Sequence, residues 1–378
     1  MNELLSLRDH GRVISRSDGP SFRVTWSEDG QVVSWDNAQL SMAQFRQISH
    51  DNLLAASPLC KQLMYGWSPL FDLSCIHDNL ACTTAGYSFV TDTANGLAEL
   101  YLDLSRRASL DTVSGLMTDN DWNRQAVRQY LDQYSEMTEL VMLLAYLHCN
   151  GPSTSRGICV YSRKMALVFR HGKSRRATNR ELIVVRFLSE EAGRLMYYYL
   201  VFIRPFACML YRACLGMDID STLLFSSPSS PSKPLKTSSL TKILMRQTTL
   251  MLGNPLSVKI YRQVSIAITE KHVRQISKPV NQHDDRSTEA DINVVFAWQS
   301  GHRPLQRGTT YGIDGAFPDS LQPALLRVYE WASNEWHKFL QLQPATDNTR
   351  PETTKAQKRC SQEPLARVLA YLWAPKSI

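Results

Sequence analysis

The stretch Ala166-Leu167-Val168-Phe169-Arg170-His171-Gly172-Lys173-Ser174-Arg175-Arg176 joins an apolar, β-rich run to a turn crowded with cations. A second apolar run, Glu181 to Arg186, follows the turn, and a helical pattern begins at Ser189. Two such runs on either side of a polar turn that contains glycine are typical of a β-hairpin. We therefore predict strands at Ala166–Phe169 and Glu181–Arg186, a basic turn at His171–Arg176, and a helix over Ser189–Phe202.

The triplet Gly172-Lys173-Ser174 also occurs in nucleotide-binding P-loops. A P-loop needs a further glycine five residues before the one in the triplet, because that glycine lets the backbone curl around the phosphates. Leu167 occupies this position, and no apolar helix pattern follows the triplet. The sequence therefore excludes a nucleotide triphosphatase of this type.

The composition is that of a folded protein with a sizeable core. The chain has 378 residues, of which 43% are hydrophobic and 20% are charged, enough for one large domain or two moderate ones. No apolar run reaches the roughly 20 residues of a membrane span, because Arg204-Pro205 and Arg212 interrupt the longest one. The eight cysteines form no Cys-x-x-Cys pair, so we expect reduced thiols of an intracellular protein and no zinc ligands.

Charge is distributed unevenly along the chain. Residues 1–120 carry 8 Lys and Arg against 14 Asp and Glu, a net charge of −6. Residues 121–378 carry 34 against 21, a net charge of +13. A basic segment of this size favours a polyanionic partner, because neutralising phosphates is the main source of nonspecific DNA affinity.

Local patterns divide the N-terminal half into a hairpin and a helical region. Two strand-like pieces, Phe22–Trp26 and Gln31–Trp35, flank an Asp29-Gly30 turn and predict a hairpin. Helical patterns dominate from Ser41 to Tyr134, with interruptions near Thr83–Gly86 and Thr93–Gly96.

Further helix and loop signals organise the rest of the chain. A helix is predicted to start at Asp119-Asn120-Asp121, to run through His148 and to end at Asn150-Gly151-Pro152-Ser153. Polar loops are predicted at Ser226–Pro234 and Ser277–Ala290. Residues 344–362 have the composition of a flexible linker, and a short amphipathic helix is predicted at Glu363–Trp373.

Five segments, in collinear order, resemble the catalytic domain of the tyrosine recombinases of the phage-integrase type. They are the turn Gly151–Gly157 with Arg156, the hairpin turn with Lys173, Ser257–Gln263 with Lys259 and Arg262, Gln299-Ser300-Gly301-His302, and Thr309-Thr310-Tyr311-Gly312. The resemblance covers roughly residues 121–340. Gly151–Gly157, Arg204-Pro205-Phe206 and Glu335-Trp336-His337 look most like the diverged recombinase-like domains of fungal mobile elements.

The resemblance implies a fold and a division into domains. The fold class expected is mostly α with a small β-sheet (α+β), in which a recombinase-like catalytic domain follows a largely helical N-terminal domain. The resemblance implies three domains. Residues 1–120 would clamp DNA as in the family, residues 121–343 would carry out catalysis, and residues 344–378 would form a linker and C-terminal helix.

The resemblance also assigns roles to five side chains. Arg156 and Arg262, with His302, would stabilise the pentacoordinate phosphorus of the transition state. Tyr311 would be the nucleophile, and Lys173 would protonate the departing 5′ oxygen. The interval from Arg156 to Lys173 is shorter than usual in the family, so Arg163 and Lys164 stand as alternatives for these two roles.

One position departs from the family pattern. Lys259 replaces the usual histidine ahead of Arg262, and lysine is a poor base at neutral pH. The sequence therefore leaves three functions open. They are DNA strand cleavage and rejoining through a 3′-phosphotyrosyl intermediate, DNA binding by a decayed recombinase that does not cleave, and a helical scaffold unrelated to the family.

The partners expected also follow from the resemblance. They are double-stranded DNA and further copies of the chain, as a tetramer on DNA, in the nucleus, with no membrane, metal or cofactor. Additional contacts to the DNA backbone are expected from four cations, Arg170, Arg175, Arg176 and Arg303.

Overall fold

Helices supply most of the structure, and small antiparallel sheets join them. The computed structural model describes residues 24–36, 38–82, 84, 86–118, 121–151, 157–171, 182–217, 219, 223–227, 230–273 and 321–342. The main helices are α1 (Met42–Leu63), α2 (Tyr101–Leu110), α3 (Arg124–His148), α4 (Glu190–Tyr198), α5 (Arg204–Leu215), α6 (Thr237–Leu252), α7 (Val258–Ile268) and α8 (Pro323–Phe339). The strands are β1 (Thr25–Trp26), β2 (Val32–Trp35), β3 (Ala38–Ser41), β4 (Met117–Thr118), β5 (Asp121–Trp122), β6 (Gly157–Tyr161), β7 (Lys164–His171), β8 (Leu182–Phe187), β9 (Ser226–Ser227) and β10 (Ser230–Pro234). The predicted class, mostly α with small β-sheets, is confirmed.

The predicted N-terminal hairpin is present, and a third strand extends it. β1 pairs with β2, and β2 pairs with β3. Gly30 adopts a φ of 68° in the turn, a conformation that glycine takes without steric cost. The Asp29 carboxylate accepts hydrogen bonds from the Ser27 hydroxyl at 2.6 Å and the Gln31 amide at 2.9 Å. Local turn chemistry therefore fixes this hairpin.

The segment between α1 and α2 differs from the helical pattern predicted for it. Residues 64–100 form turns and two short 3-10 helices, Leu73–Cys75 and Thr93–Asn95, over the part that the structure describes. The side chains of Asp72 and Asp92 accept hydrogen bonds from backbone amides two residues ahead. Such bonds compete with helical ones, which explains why apolar periodicity overstated the helix content here.

The long central helix α3 starts later than predicted. Asn123 caps it by accepting hydrogen bonds from the amides of Gln125 and Ala126. Asp121 lies in β5, which pairs with β4 instead of opening the helix. The predicted end is confirmed. Asn150 and Gly151 follow α3 with positive φ values of 54° and 64°, and a right-handed helix requires negative φ values.

The predicted β-hairpin consists of β7 and β8, which belong to a three-stranded sheet ordered β6-β7-β8. β7 ends at His171 and β8 begins at Leu182, and these two residues are paired. α4 follows with Ser189 as its cap, whose side chain accepts from the Ala192 amide. The two strands and the start of the next helix are thus confirmed.

A continuous helical stretch links α4 to α5 through a π-helical turn, Tyr199–Ile203. The sequence predicts that the helix ends at Phe202, but it continues through Arg204-Pro205 to Leu215. The wide turn ends at Ile203, just before Pro205, whose missing N–H and bulky ring a regular α-turn does not accommodate. Among the described residues, Glu190–Leu215 is the one helix long and apolar enough to cross a membrane. Because most of its apolar side chains are buried, packing in the core accounts for its apolar character.

One hydrophobic core extends across the predicted domain boundary at residue 120. It includes Leu53 and Leu104 from one side, and Leu140 and Phe206 from the other. The Asn52 side chain donates to the Leu140 carbonyl at 3.2 Å, which ties α1 to α3. The described residues, from Val24 to Leu342, belong to one compact unit.

Several remaining predictions concern loops and the C-terminus. Ser226–Pro234, predicted to be a loop, contains the short irregular pair β9 and β10. The predicted loop Ser277–Ala290, the linker 344–362 and the helix Glu363–Trp373 lie outside the described residues.

Candidate functional site

Helix α7 presents two of the predicted site residues on its outer face. Lys259 and Arg262 are both exposed and lie one helical turn apart, so they share a face. Neither side chain makes a hydrogen bond or ion pair with any residue that the structure describes. Their charges are therefore not neutralised by the part of the chain that the structure describes.

The opposite face of α7 anchors the helix in the core. Tyr261 is fully buried and stacks on Phe45 of α1, with ring centroids 5.2 Å apart. Val264 and Ile268 are buried in the same cluster. The direction in which Lys259 and Arg262 point is therefore set by core packing and not by their own contacts.

The turn that leads to Arg156 packs directly on α7. A Cβ added to Gly151 would lie 3.3 Å from the Tyr261 ring. The side-chain nitrogen Nδ2 of Asn150 donates to the hydroxyl of Thr269, which directly follows α7, at 2.9 Å. Arg156 itself lies outside the described residues, but five residues reach at most about 17 Å from Gly151.

The strand that follows Arg156 and the strand that precedes Lys173 meet at one end of the sheet. Gly157, which follows Arg156, pairs with Val168, and β7 continues from there to His171, two residues before Lys173. Because β6 and β7 are antiparallel, the start of β6 and the end of β7 lie at the same end of the sheet.

The cations of the hairpin turn themselves fall outside the described residues. These are Lys173, Arg175 and Arg176. Arg170 lies in β7 and pairs with Ile183, and only its backbone is described.

The alternatives Arg163 and Lys164 lie at the opposite end of this sheet. Lys164 and His171 are seven positions apart along β7, so their Cα atoms are separated by roughly 23 Å at the usual rise per residue. The Lys164 amine is also bound to the Glu330 carboxylate at 2.8 Å and to the Asn334 side chain at 3.2 Å. The Lys164 amine is therefore engaged by α8, at the end of β7 farther from Lys173.

Side chains from two distant elements hold the C-terminal end of α3. Trp336 donates from Nε1 to the Leu147 carbonyl at 3.0 Å, and His337 Nε2 donates to the His148 carbonyl at 3.1 Å. Arg186 of β8 donates from Nη1 to the carbonyls of Cys149 and Asn150, the latter at 3.0 Å. Carbonyl groups at a helix end need such partners. The sequence identified Glu335-Trp336-His337 by resemblance only and gave no role to Arg186.

A cleft of about 330 Å³ opens between the end of α3, β8 and α8. Its walls include Arg186, Asn150, Tyr329 and Trp331. Val273, the last described residue after α7, also lines it. The cleft therefore adjoins both the turn that leads to Arg156 and the helix that carries Arg262.

His302, Arg303 and Tyr311 lie within residues 274–320, outside the described part of the chain. The two flanks of this interval both meet β8. Val273 lines the cleft together with Val185, and Leu321 is buried in a cluster that contains Val185 and Phe187. The structure thus fixes where the interval begins and ends.

No protein-family model, curated protein or solved structure matches this chain. Within the described ranges, no group of three or more His, Cys, Asp or Glu side chains is arranged to hold a metal ion.

Proposed function

We propose that this protein cleaves and rejoins DNA strands through a 3′-phosphotyrosyl intermediate, as in site-specific recombination or integration of a mobile element. The observation that carries the proposal is the meeting of three separate chain segments. The turn before Arg156 packs on the helix that bears Arg262. The start of β6, which follows Arg156 in the chain, and the end of β7, which precedes Lys173, lie at one end of the sheet. A phosphodiester site needs cations from distant segments to meet in this way.

The proposed chemistry is a transfer of phosphorus between two oxygens. The Tyr311 phenol loses its proton to water as its oxygen attacks the scissile phosphorus, and a phosphotyrosyl bond forms while the bond to the 5′ oxygen breaks. Lys173 gives a proton to that departing oxygen, while Arg156, Arg262 and His302 balance the negative charge on the phosphoryl oxygens. The reverse transfer rejoins the strand, because the phosphotyrosyl bond conserves the energy of the original one.

A covalent-trapping experiment tests this function. The full-length chain is incubated with a pool of nicked duplexes of randomised sequence, from which the cleaved fragment diffuses away. We expect an adduct that survives denaturation and is absent from Tyr311→Phe. Tyr101→Phe, at the start of α2, is the matched control and should form the adduct like the wild type. Absence of the adduct in the wild type, or its persistence in Tyr311→Phe, would rule out the proposed nucleophile.

A second candidate function is DNA binding without cleavage. The observation that favours it is Lys259, an exposed cation without a described partner at the position where the family carries a histidine. A fixed positive charge there serves binding as well as it serves catalysis. This function predicts that duplexes are retained by the wild-type chain, that no adduct forms, and that Tyr311→Phe binds DNA normally.

A further inference from the structure

Arg186 is a half-buried cation whose positive charge no described carboxylate neutralises. Its hydrogen bonds run from Nη1 to the Cys149 and Asn150 carbonyls. The C-terminal end of a helix carries only about half a negative charge. Removing a cation from water without a full counter-charge is costly, and the described residues leave this charge incompletely compensated.

A second positive charge lies on the neighbouring helix α7. Arg186 binds the Asn150 carbonyl, and the next residue, Gly151, packs against the ring of Tyr261, which precedes Arg262. Burial lowers the pKa of the Arg186 guanidinium, and the charge of Arg262 lowers it further. Arg262 is exposed on α7 and likewise has no described ion-pair partner. Two like charges brought together raise the free energy of the fold unless an anion lies between them.

The other charged groups that line the cleft are already neutralised. The Glu335 carboxylate lies 2.6 Å from the Lys338 amine. His148 is fully buried, and burial moves the pKa of its imidazole well below the usual value, so the ring is uncharged. Arg186 therefore carries the one uncompensated charge on the described walls of the cleft.

Arg186 also has donor capacity to spare. A guanidinium presents five N–H groups in a planar fork, and Nη1 alone is engaged with described residues. Nε and Nη2, which no described residue engages, have the geometry for the paired contacts that arginine makes to phosphate oxygens. Lysine offers the same charge without this geometry.

We propose that Arg186 and Arg262 together bind one phosphate group of the DNA backbone, which makes Arg186 a phosphate ligand beyond those that the sequence identifies. The proposal rests on the proposed function only for the source of the phosphate. The anion site itself follows from the two uncompensated guanidinium groups beside one cleft.

Thermal unfolding with inorganic phosphate tests the site. The Tm of the full-length chain is measured against phosphate concentration at constant ionic strength, because a ligand that binds only the folded state raises Tm. We expect the apparent phosphate affinity to fall about tenfold or more in Arg186→Lys and in Arg262→Ala. Arg246→Ala is the matched control, since Arg246 is exposed on α6 and paired with Glu139 at 2.9 Å.

Arg262→Ala keeps the test decisive if Arg186→Lys does not fold, because the Arg262 side chain makes no described hydrogen bond. Wild-type protein that shows no phosphate-dependent rise in Tm would overturn the proposal. A rise that is unchanged in Arg186→Lys and Arg262→Ala would also overturn it.

The covalent-trapping experiment separates this site from the proposed function. An arginine-dependent phosphate effect without an adduct would leave the anion site standing and remove the cleavage function. An adduct together with an unchanged phosphate effect in both variants would support the cleavage function and overturn the anion site.

Discussion

Asn150 and Thr269 join two segments that the sequence predicts to meet at a phosphate. The side-chain nitrogen Nδ2 of Asn150 donates to the Thr269 hydroxyl at 2.9 Å. Asn150 belongs to the turn that leads to Arg156, and Thr269 follows the helix that carries Lys259 and Arg262. This bond therefore ties the turn that leads to Arg156 to the helix that carries Arg262.

Removing the Thr269 hydroxyl should loosen this coupling. Thr269→Val keeps the shape of the side chain but leaves the Asn150 amide without its acceptor, which should lower the free energy of unfolding by about 1–2 kcal/mol. Urea denaturation measures the loss, and adduct formation should slow in parallel. Thr241→Val is the control, because Thr241 and Thr269 each donate to a carbonyl four residues earlier. Equal losses in the two variants would mean that the bond to Asn150 contributes nothing.

The elements that the sequence predicted well depend on local chemistry. The Asp29-Gly30 turn and the hairpin strands that end at His171 and begin at Leu182 are determined by residues within the segments themselves. The start of α3 was misplaced because Asn123 and the acidic residues before it are all good helix caps. Only the pairing of β5 with β4 decides between them.

The partners of α3 could not be predicted in the same way. Leu147 and Trp336 are 189 residues apart, as are His148 and His337. Nothing in the local pattern around Arg186 indicates that it reaches the Cys149 carbonyl. Long-range contacts of this kind follow from packing of the whole core, so the sequence identified candidate ligands by type but missed the groups that position them.

Gly30 allows a test of how the N-terminal hairpin supports α7. Its carbonyl accepts a hydrogen bond from His272 at 2.9 Å, and an added Cβ would lie 2.6 Å from Lys271 Cε. Gly30→Ala should cost about 1 kcal/mol for the left-handed backbone, and more because Lys271 must move. Gly66→Ala is the control, since Gly66 has a φ of 71° and open space around it. Thermal unfolding should show a larger loss for Gly30→Ala, and equal losses would exclude a constraint from Lys271.

The exposed cations of α7 should determine how DNA binding depends on salt. Each lost phosphate contact lowers the slope of log affinity against log salt by about 0.9. We expect a decrease of this size for Lys259→Ala and for Arg262→Ala, measured with a duplex oligonucleotide at several salt concentrations. Arg246→Ala removes the same charge from α6 and should leave the slope unchanged. If all three variants lowered the slope equally, DNA would respond to net charge and not to this helix face.

Two buried histidines make the fold sensitive to acid. His337 is 4% exposed, and its Nε2 donates to the His148 carbonyl. Burial lowers the pKa of His337 from 6.5 to about 4, and burial also lowers the pKa of His148. Both rings are therefore uncharged in the native protein at neutral pH.

Stability should consequently fall as the pH is lowered from 6.5 towards 4, because in this range the unfolded chain binds protons that the native chain excludes. For His337 alone the shift corresponds to about 3 kcal/mol. His337→Gln keeps an N–H donor that can reach the His148 carbonyl but does not titrate, so it should lose less stability over this range than the wild type. Urea denaturation at neutral pH and near pH 4 measures both losses. His77→Gln, which changes a side chain that is 70% exposed, is the control and should behave as the wild type. An equal loss in His337→Gln and the wild type would show that the acid sensitivity arises elsewhere in the chain.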